Sequence, residues 1–466
     1  MKGLEIAIIN FSELSKVIDY RIESEYFAHR FLEIDNILSK ITTVPFTKVA
    51  TFINGRPYNS DCFNSTEGVR ISKIGDVTNR REIIEWEYVT SDEFIYQKGE
   101  LLADGDILMT LTGDPPDVGK VNFIRNPQNA SWNQRVAKIR IKSIQKVYRS
   151  NNVLFAALTT EFVRSQLERY AKGIRQRNLG NESLERLLIP VLPENTQKMI
   201  EESINLSFSA LSESQRLYNN AEDQLLKELS IKDWQSNNTP INIKQLKESF
   251  LTSGRLDAEY YQPKFDEIEN IIKNYKNGTE FIGDLFSQNT EVCDFKEDAY
   301  NYIEIGDINI SDGTANYNLF SKEELPDNAK RVLHKNDILI SKVRPYRGAV
   351  SIIDFDDDKL IGSGAFTVLH EKTTYKKEVL QILLRTQVYR DWMLKWNVGS
   401  SYPVIKDEDI LRLPIPLVPQ NIQTEIAEYV QKSISLRKEA KQLLENAKLQ
   451  VKDAISAPPI TSLIIN

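Results

Sequence analysis

The sequence has few of the residues that mark several protein classes. It contains only two cysteines and three histidines in 466 residues, so we expect neither a disulfide framework nor a zinc site. Glycine (19) and proline (17) are not enriched, which excludes collagen-like and low-complexity chains. No apolar run is long enough to cross a bilayer, and the opening segment MKGLEIAIINFSEL is too weakly apolar for a signal peptide. We therefore expect a globular protein of the reducing cytoplasm.

The remaining composition is that of an ordinary globular protein, with 41% hydrophobic and 27% charged residues. At roughly 150 residues per domain, the length suits three compact domains or two large ones. Fifty-nine basic and sixty-six acidic side chains give a net charge of −7. This balance argues against a generally basic coat for nucleic acid but leaves local basic patches possible.

The strongest signal is an internal repeat. Three collinear blocks carry it. Residues 21–39 align without a gap on 255–273 with eight of nineteen positions identical, 74–77 align on 305–308, and 184–204 align on 410–430 with nine of twenty-one identical. The offset drifts from 234 to 226 along the chain, as small loop insertions would produce. The chain is therefore predicted to be two copies of one unit of about 230 residues.

Each copy has the same predicted order of elements. An amphipathic helix opens the copy, short strands follow, a further helix beginning near Val153 or Val379 ends near Gly173 or Gly399, and a proline-containing block precedes a long helix. The predicted strands are 69–77, 106–111, 136–141, 302–308, 337–343 and 365–369. The predicted domain bounds are 1–195 for the first globular domain, 196–233 for its long helix, 234–243 for a linker, 244–420 for the second globular domain, 421–457 for its long helix and 458–466 for a tail.

The two long helices carry narrow apolar stripes. The stripe residues are Ile204, Leu211, Tyr218 and Leu225 in the first helix and Val430, Leu436, Ala440, Leu443, Ala447, Val451 and Ala454 in the second. Such stripes are typical of paired helices, and a two-fold relation between the copies would make the pair antiparallel. About thirty residues at 1.5 Å each would form a rod of roughly 45 Å. Two separate surface helices are the alternative.

No group of residues has the pattern of a catalytic site. Cys62 and Cys293 are interpreted as small buried side chains. The run 114–116 is Asp-Pro-Pro, but Asp117 follows where an amino-methyltransferase would have a stacking aromatic, so we interpret the run as a turn. The charged run 354–359 is interpreted as a solvated loop rather than part of a nuclease site. No methyl-donor, Walker or Rossmann motif occurs, and we expect no catalytic residue, no metal site and no cofactor in this chain.

Charge is segregated along the sequence. The forty-three positions between Asp117 and Glu161 contain no acidic residue, and eight of them are lysine or arginine. Cations of this kind contact phosphates, and Arg, Gln and Asn can read guanine or adenine edges. The candidate DNA-binding residues are Lys120, Arg135, Lys138, Arg140, Lys142, Arg175, Gln176 and Arg177 in the first copy and Lys342, Arg344, Tyr346, Arg347, Ser400, Ser401, Tyr402 and Lys406 in the second. A solvated basic face without a ligand is the alternative.

The loops that carry some of these residues differ between the copies. Residues 174–177 read Ile-Arg-Gln-Arg, whereas 400–403 read Ser-Ser-Tyr-Pro, although the segments around them agree. If the loops read base edges, the two copies read different sequences. We therefore expect an asymmetric DNA target in two parts, separated by a gap; the predicted rod would correspond to about thirteen base-pair steps.

Three segments of the second copy resemble the specificity subunits of type I restriction-modification systems. They are Arg-Leu-Asp-Ala-Glu-Tyr-Tyr-Gln-Pro from Arg255, Asp-Ile-Leu-Ile-Ser from Asp337 and Leu-Pro-Ile-Pro-Leu from Leu413, the last followed by a long helix. The first copy departs from this pattern at Leu188, where the block lacks its first proline, and at its start, which reads Arg-Ile-Glu-Ser-Glu. The resemblance covers nearly the whole chain, twice.

The resemblance implies an α+β fold with a tandem pseudo-two-fold repeat. Two α/β target recognition domains would each be followed by a long helix, and the two helices would pack as an antiparallel coiled coil. It also implies a non-catalytic subunit that binds double-stranded DNA, docks two adenine methyltransferase subunits and joins a restriction motor subunit. S-adenosylmethionine would then be used by the methyltransferase, which would flip the target adenine.

Docking requires exposed apolar surface on the helices. The residues expected to serve in helix pairing or subunit docking are Ile200, Ile204, Leu211, Ile426, Val430 and Leu443, and both roles stay open for each of them.

Three alternatives remain. The subunit could belong to a combined restriction-methylation enzyme or to a phage-exclusion system. It could be a coiled-coil scaffold whose basic faces bind acidic proteins, in which case it would not discriminate among DNA sequences at matched salt. It could itself be a nuclease or methyltransferase, which requires residues that the sequence does not show.

Overall fold

A computed structural model describes residues 8–14, 21–64, 67–78, 87–115, 117–235, 239, 241–397 and 402–456. The chain divides into two compact units. Unit 1 is formed by residues 1–210 and 439–466, and unit 2 by residues 211–438.

The elements of unit 1 alternate between helices and short strands. Its helices are α1 (Phe11–Leu14), α2 (His29–Leu38), α3 (Phe46–Val49), α4 (Ile74–Thr78), α5 (Ser91–Tyr96), α6 (Asn151–Thr159), α7 (Glu161–Tyr170), α8 (Asn181–Arg186) and the first part of α9 (Glu194–Glu228), with 3₁₀ turns at Ser24–Phe27 and Ser60–Asn64. Its strands are β1 (Thr43–Pro45), β2 (Ala50–Asn54), β3 (Val69–Ser72), β4 (Tyr88–Val89), β5 (Ile107–Thr110), β6 (Thr112–Gly113), β7 (Val121–Phe123), β8 (Ala130–Trp132), β9 (Val136–Ile141), β10 (Arg177–Asn178) and β11 (Leu188–Pro190).

Unit 2 follows the same order. Its helices after the second part of α9 are α10 (Phe250–Ser253), α11 (Pro263–Lys273), α12 (Ile282–Leu285), α13 (Lys377–Arg385), α14 (Gln387–Met393), α15 (Asp407–Leu411) and the first part of α16 (Gln420–Ser456), with 3₁₀ turns at Ala258–Tyr261, Ile305–Asp307, Lys322–Glu324, Pro345–Arg347 and Leu394–Trp396. Its strands are β12 (Thr279–Phe281), β13 (Phe286–Gln288), β14 (Ala299–Ile303), β15 (Asn318–Ser321), β16 (Ala329–Val332), β17 (Ile338–Ser341), β18 (Val350–Ile352), β19 (Leu360–Ser363), β20 (Phe366–Glu371) and β21 (Pro414–Pro416).

Strand order confirms the repeat. Unit 1 has an antiparallel sheet in the order β2-β9-β5-β7, and unit 2 has β13-β20-β17-β18. A second sheet contains the parallel pair β3–β8 in unit 1 and β14–β19 in unit 2. The pairs β1–β11 and β12–β21 also correspond. The two copies therefore share a common α+β topology, as the repeat predicted, with β16 added to the second sheet of unit 2 and the pair β6–β10 added in unit 1.

The central strands explain why the sheets form where they do. All four residues of β5 and all four of β17 are buried. A strand that is buried on both faces has a continuous apolar sequence, and the runs Ile107–Thr110 and Ile338–Ser341 have that character. The sequence predicted both strands within a residue or two of their observed bounds.

The predicted strands 69–77 and 302–308 are wrong at their C-terminal ends. In unit 1 the strand ends at Ser72 and residues 74–78 form a helical turn, while in unit 2 the strand ends at Ile303 and a 3₁₀ turn follows. The cause is the aspartate of each Ile-Gly-Asp run. Asp76 Oδ2 accepts the Lys73 N–H at 2.6 Å, and Asp307 Oδ2 accepts the Glu304 N–H at 2.9 Å, so each carboxylate caps a turn.

The single helix predicted from Val153 or Val379 is also wrong, because two helices occupy that segment in each unit. Thr160 separates α6 from α7, and Thr386 separates α13 from α14. Both threonines have extended backbone angles, and the Thr386 hydroxyl accepts the Tyr389 N–H at 3.4 Å as an N-cap. The chain therefore turns between two helices that both contribute side chains to the core.

The two long helices pack against each other in antiparallel fashion within each unit. In unit 1 the Ser207 hydroxyl donates to the Ala440 carbonyl at 2.8 Å. In unit 2 the Ser214 and Ser433 hydroxyls lie 2.9 Å apart, and Gln224 donates to Glu425 at 2.6 Å. Residue numbers fall along α16 as they rise along α9, which defines the antiparallel direction.

The contact line between these helices, here called the seam, differs in composition from the predicted stripe. In unit 1 it includes the apolar Ile204 and the fully buried small residues Ser207 and Ala440. In unit 2 it includes the apolar Val430 and the fully buried small residues Ser214 and Ser433. Leu211, which the stripe placed in the seam, is 39% exposed. Small side chains let the backbones approach, and the hydroxyls find partners across the seam.

Candidate nucleic-acid interface

The acid-free basic stretch of unit 1 is largely neutralised by acids from elsewhere in the unit. Five of its eight cations form ion pairs: Lys120 with Asp117, Arg125 with Asp104, Lys138 with Glu100, Arg140 with Asp106, and Arg149 with Glu194 and Glu201. The acids between Glu100 and Asp117 flank β5, which pairs with the basic strand β9. The charge segregation expected from the sequence is therefore mostly absent in the folded unit.

The basic strand itself holds its cations close to the protein. The Lys138 ammonium lies 2.8 Å from Glu100 and 4.5 Å from the centre of the Trp132 ring, and this side chain is mostly buried. The Lys142 ammonium donates to the Thr47 carbonyl at 2.5 Å. Lys120 pairs with Asp117 at 2.6 Å. Lys138 and Lys142 are therefore held against the body of the unit, whereas Lys120 is ion-paired but partly exposed.

Two loops occupy the same place in the two units, at the C-terminal end of the central strand. In unit 1 the Leu111 N–H donates to the Arg135 carbonyl, and the Leu179 N–H donates to the Leu111 carbonyl, both at 2.8 Å. In unit 2 the Lys342 N–H donates to Ala365, and the Ile405 N–H donates to Lys342, both at 2.9 Å. The same pair of backbone bonds thus docks the loop at 172–178 and the loop at 397–406, whose sequences differ.

The unit 1 loop is closed at its base and exposed at its tip. Lys172 and Asn178 exchange two backbone hydrogen bonds, of 2.9 and 2.8 Å. Gly173 has φ +122°, and a Cβ there would lie 2.2 Å from the Gln176 carbonyl oxygen, so this position requires glycine. Arg175 and Gln176 are exposed at the tip, and Arg135 is exposed beside the loop. In the part of the chain that the structure describes, neither arginine has an acid partner.

Arg177 departs from the expectation that it is a DNA-contacting side chain. It is 8% exposed, its guanidinium pairs with Glu25, and it donates to the Glu168 carbonyl at 3.4 Å. Its backbone belongs to β10, which pairs with β6. Arg177 therefore anchors the loop to the body of unit 1, and the side chains that remain available on this loop are those of Arg175 and Gln176.

The unit 2 loop meets the turn that follows the central strand. Arg344 has a left-handed backbone (φ 50°), donates its N–H to the Pro403 carbonyl at 2.8 Å, and lies with its guanidinium 4.6 Å from the centre of the Tyr402 ring. Tyr346 and Arg347 are exposed on the same turn. Lys406 is exposed on the other side of the loop. The cluster thus combines cations and aromatic rings on one turn and one loop.

Of the residues of unit 2 that were predicted to bind DNA, one is ion-paired within the unit and two lie outside the described residues. The Lys342 ammonium is 3.2 Å from Asp407, whose other oxygen accepts the Thr367 hydroxyl at 2.5 Å, so this cation fixes the start of α15. Ser400 and Ser401 lie outside the described residues. The candidate residues 342–347 of unit 2 do not lie on the counterpart of the basic strand of unit 1. By strand order β9 instead corresponds to β20 (Phe366–Glu371), which lacks lysine and arginine.

The predicted pairing or docking residues divide by burial. Ile200, Ile204, Ile426 and Val430 are buried in the clusters that contain the seam, whereas Leu211 and Leu443 are partly exposed. The long helices also carry exposed apolar side chains that were not predicted, which are Met199, Leu206 and Leu449. The seven-residue spacing of Met199 and Leu206 could have revealed a second stripe.

Two features expected of catalytic sites are a metal-binding group and an activated cysteine. No three His, Cys, Asp or Glu side chains there are grouped so that they could hold a metal ion. Burial, followed by the nearby Glu93 carboxylate, raises the pKa of the Cys62 thiol, which is opposite to the change that activates a nucleophile. No described helix combines the length and apolar character needed to span a membrane.

Comparison with known proteins identifies one family in both repeats. A family model described as the type I restriction modification DNA specificity domain matches residues 39–209 and 274–446. No curated protein matches the chain.

Solved structures similar to the chain share little sequence with it. The S subunit of a type I restriction-modification system from M. genitalium is 14% identical, with a TM-score of 0.41 over 89% of this chain and 95% of that chain. The HsdS subunit from Thermoanaerobacter tengcongensis is 13% identical, with a TM-score of 0.29 over 90% and 97%. A structure that describes complex assembly and conformational transition of the type I R-M system is 12% identical, with a TM-score of 0.28 over 90% and 98%.

Proposed function

Because the chain belongs to the type I restriction modification DNA specificity family, with one matching domain in each repeat, we propose that it is the subunit that selects the DNA sequence for a restriction-modification complex. Each repeat would read one part of an asymmetric, two-part target, with unread base pairs between the parts. The observation that carries this proposal is the docking of two unlike loops on equivalent strand ends by the same backbone bonds. Two units that share a fold but carry loops of different sequence are suited to binding two different DNA sequences.

The proposed contacts follow from the side chains presented at those strand ends. In unit 1, Arg175 and Gln176 can each form two hydrogen bonds to a purine edge, and Arg135 can neutralise a phosphate. In unit 2, the exposed Arg347 can form two hydrogen bonds to a purine edge, and the exposed Lys406 can neutralise a phosphate. Arg344 and the rings of Tyr346 and Tyr402 supply flat surfaces for sugars and bases. Ser400 and Ser401 stay in the proposed set, since their hydroxyls can pair with a base edge or a phosphate.

The remaining predicted cations are assigned a supporting part in this proposal. Lys120, Lys138, Arg140 and Lys342 are ion-paired, and Lys142 is bonded to a carbonyl. A paired cation gives up a favourable contact when it turns to DNA, so its net contribution to binding is small. A net charge of −7 on the chain adds a general repulsion of DNA that only the local clusters overcome.

Catalysis is proposed to come from partner subunits. Two adenine methyltransferase subunits would dock on the chain and use S-adenosylmethionine, and a restriction motor subunit would join them in the cytoplasm. Docking of a methyltransferase subunit requires exposed apolar side chains on the long helices, outside the seam. Met199, Leu206 and Leu211 meet this condition on α9, whereas the fully buried Ile200 and Ile204 serve the seam.

The test is expression of the full chain with its neighbouring methyltransferase in a host without adenine methylation, followed by long-read mapping of modified adenines. We expect one gapped motif with two unlike halves, and no modification when the chain or the methyltransferase is expressed alone. Methylation at a single uninterrupted palindrome would contradict two-part reading. Modification by the chain alone would contradict a non-catalytic role, and DNA binding without sequence preference at matched salt would favour a scaffold.

A further inference from the structure

The segment 21–26, here called the opening motif of the first copy, contacts the C-terminal end of α7, the helix that leads into the loop 172–178. The Arg21 guanidinium lies 4.9 Å from the centre of the Tyr26 ring and donates to the Arg169 carbonyl at 3.1 Å. The Arg169 guanidinium lies 4.3 Å from the centre of the same ring and bonds to Asp35 at 2.5 Å. Arg21 is fixed in turn by Glu23 at 3.2 Å. The loop begins three residues after Arg169.

The second copy builds the same arrangement from different side chains. The Arg255 guanidinium lies 4.6 Å, and the Lys395 ammonium 5.2 Å, from the centre of the Tyr260 ring. Lys395 bonds to Glu269 at 2.9 Å, and Arg255 makes two hydrogen bonds to Asp257, of 2.8 and 2.6 Å. The Arg255 hydrogen bond also holds the pKa of Asp257 below its usual value. We call each set, of tyrosine, two cations and two acids, a clamp.

Every member of one clamp stands at the repeat position of its counterpart. Arg21, Glu23, Tyr26 and Asp35 correspond to Arg255, Asp257, Tyr260 and Glu269 at an offset of 234, and Arg169 corresponds to Lys395 at an offset of 226. The chemical type is kept at all five positions, although only the first arginine and the tyrosine are identical. Surface ion pairs are individually weak and are easily lost between diverging copies. Retention of the whole set indicates that it performs a shared task.

The clamp also reaches the loop directly in unit 2. Arg255 donates to the Asn397 carbonyl at 3.3 Å, and the Asn397 side-chain oxygen accepts the Val404 N–H at 2.9 Å. Asn397, which the clamp holds, is thus bonded to Val404 on the other side of the loop. In unit 1, Glu25, next to Tyr26, pairs with Arg177 at the end of the loop. In each unit, residues at the start of the copy therefore contact residues that flank or end the loop.

We infer that the two clamps are positioning devices that set the orientation of the sequence-reading loops, each for its own half of the DNA target. This inference rests on the proposed function and adds to it the residues through which a common frame orients unlike loops. The tyrosine ring is the element that both cations share. Arg21 and Arg255 act through a backbone carbonyl, and none of the clamp residues needs to touch DNA.

The tyrosines allow a matched test. Within the described part of the chain neither tyrosine hydroxyl makes a hydrogen bond, so Tyr26→Phe and Tyr260→Phe keep the ring and every described side-chain contact. Tyr26→Leu and Tyr260→Leu keep an apolar side chain but remove the ring surface on which the cations lie. Each variant of one repeat serves as the control for the other repeat.

The experiment uses the full chain assembled with its methyltransferase and measures modification at perfect sites and at sites with one base changed in either half. We expect Tyr26→Leu to reduce discrimination by about tenfold or more in one half only, and Tyr260→Leu to do so in the other half only. Both phenylalanine variants should match the unmodified chain in discrimination and in melting temperature. Arg21→Lys, which keeps the charge but not the planar donor, should give a smaller loss in the same half as Tyr26→Leu.

Three outcomes would overturn the inference. The leucine variants could leave discrimination in both halves unchanged, they could weaken both halves equally, or they and Arg21→Lys could all fail to assemble, which would assign the clamps to stability alone. A different result separates the proposed function from this inference. If the unmodified chain directs no two-part modification, the proposed function fails before the clamps are tested.

Discussion

Arg140 offers the sharpest test of whether a cation predicted to contact DNA is instead part of the frame. Its guanidinium pairs with the Asp106 carboxylate, which has a fully buried side chain and also accepts the Ala103 N–H at 2.8 Å. Unit 2 has the equivalent arrangement, since Asp337 is bonded to His370 at the matching position of β20, with a distance of 2.5 Å. We therefore predict that Arg140→Ala destabilises unit 1 by leaving a buried carboxylate without its cation.

The size of the effect follows from burial. Removing one partner of a fully buried ion pair costs about 3–5 kcal/mol. The Arg140 side chain is 47% exposed, so water screens part of the interaction, and we expect roughly 1–3 kcal/mol. For a unit of this size that corresponds to a fall in melting temperature of roughly 2–12 °C.

Differential scanning calorimetry of the full chain measures this change, and two variants are its controls. Arg135→Ala removes an exposed arginine that has no acid partner in the described part of the chain, so it should weaken DNA binding without changing the melting temperature. Arg140→His should keep most of the stability, because the His370 imidazole bonds to the equivalent carboxylate, Asp337, in unit 2. If the Arg140→Ala variant has the same melting temperature as the unmodified chain, the structural role assigned to Arg140 is refuted.

Three further predictions concern the seam and the DNA contacts. Ile204→Ala, at a fully buried seam position, should destabilise the chain by about 2–4 kcal/mol in calorimetry, whereas Leu211→Ala should change stability little, and equal losses would contradict the observed seam. Ser433→Ala removes the donor to the Ser214 carbonyl and the partner of the Ser214 hydroxyl, so urea unfolding should show a loss of about 1–2 kcal/mol, and an unchanged midpoint would show that the hydroxyls add nothing. Lys406→Ala should weaken binding of all DNA sequences similarly and lower the slope of log K against log salt by about 0.9, while a sequence-dependent loss would mean that Lys406 reads a base.

The features that the sequence predicted are those whose signals are local or repeated. The apolar runs Ile107–Met109 and Ile338–Ile340 identify the central strands without knowledge of their neighbours. The predicted bounds of α16 are within one residue of the observed ones, and α9 begins two residues before its predicted start, because a proline-containing block precedes each helix and their stripes keep a helical period. The predicted end of α9 is wrong by five residues, since the helix ends at Glu228. The two-unit architecture follows from the identities between the copies, which need no structural information.

The features that the sequence did not predict depend on strand pairing. Lys138 and Arg140 look free in a segment without acids, yet Glu100 and Asp106 reach them because β5 lies beside β9. Arg177 looks like its exposed neighbour Arg175 until β10 pairs with β6 and turns its side chain toward Glu25. The seam hydroxyls were missed for a related reason, since a buried serine in a helix has no apolar signature and is explained only by its partner on the other helix.

The central claim is that each repeat reads its own half of the DNA target, and paired variants of the exposed tips test it most directly. Arg175→Ala in unit 1 and Arg347→Ala in unit 2 should be placed separately in the assembled methyltransferase complex, and the modified sites mapped across a genome. The account predicts that each variant relaxes the motif at one or two positions of one half, a different half for each, and leaves the other half unchanged. Relaxation of both halves by either variant, or of the same half by both, would contradict it.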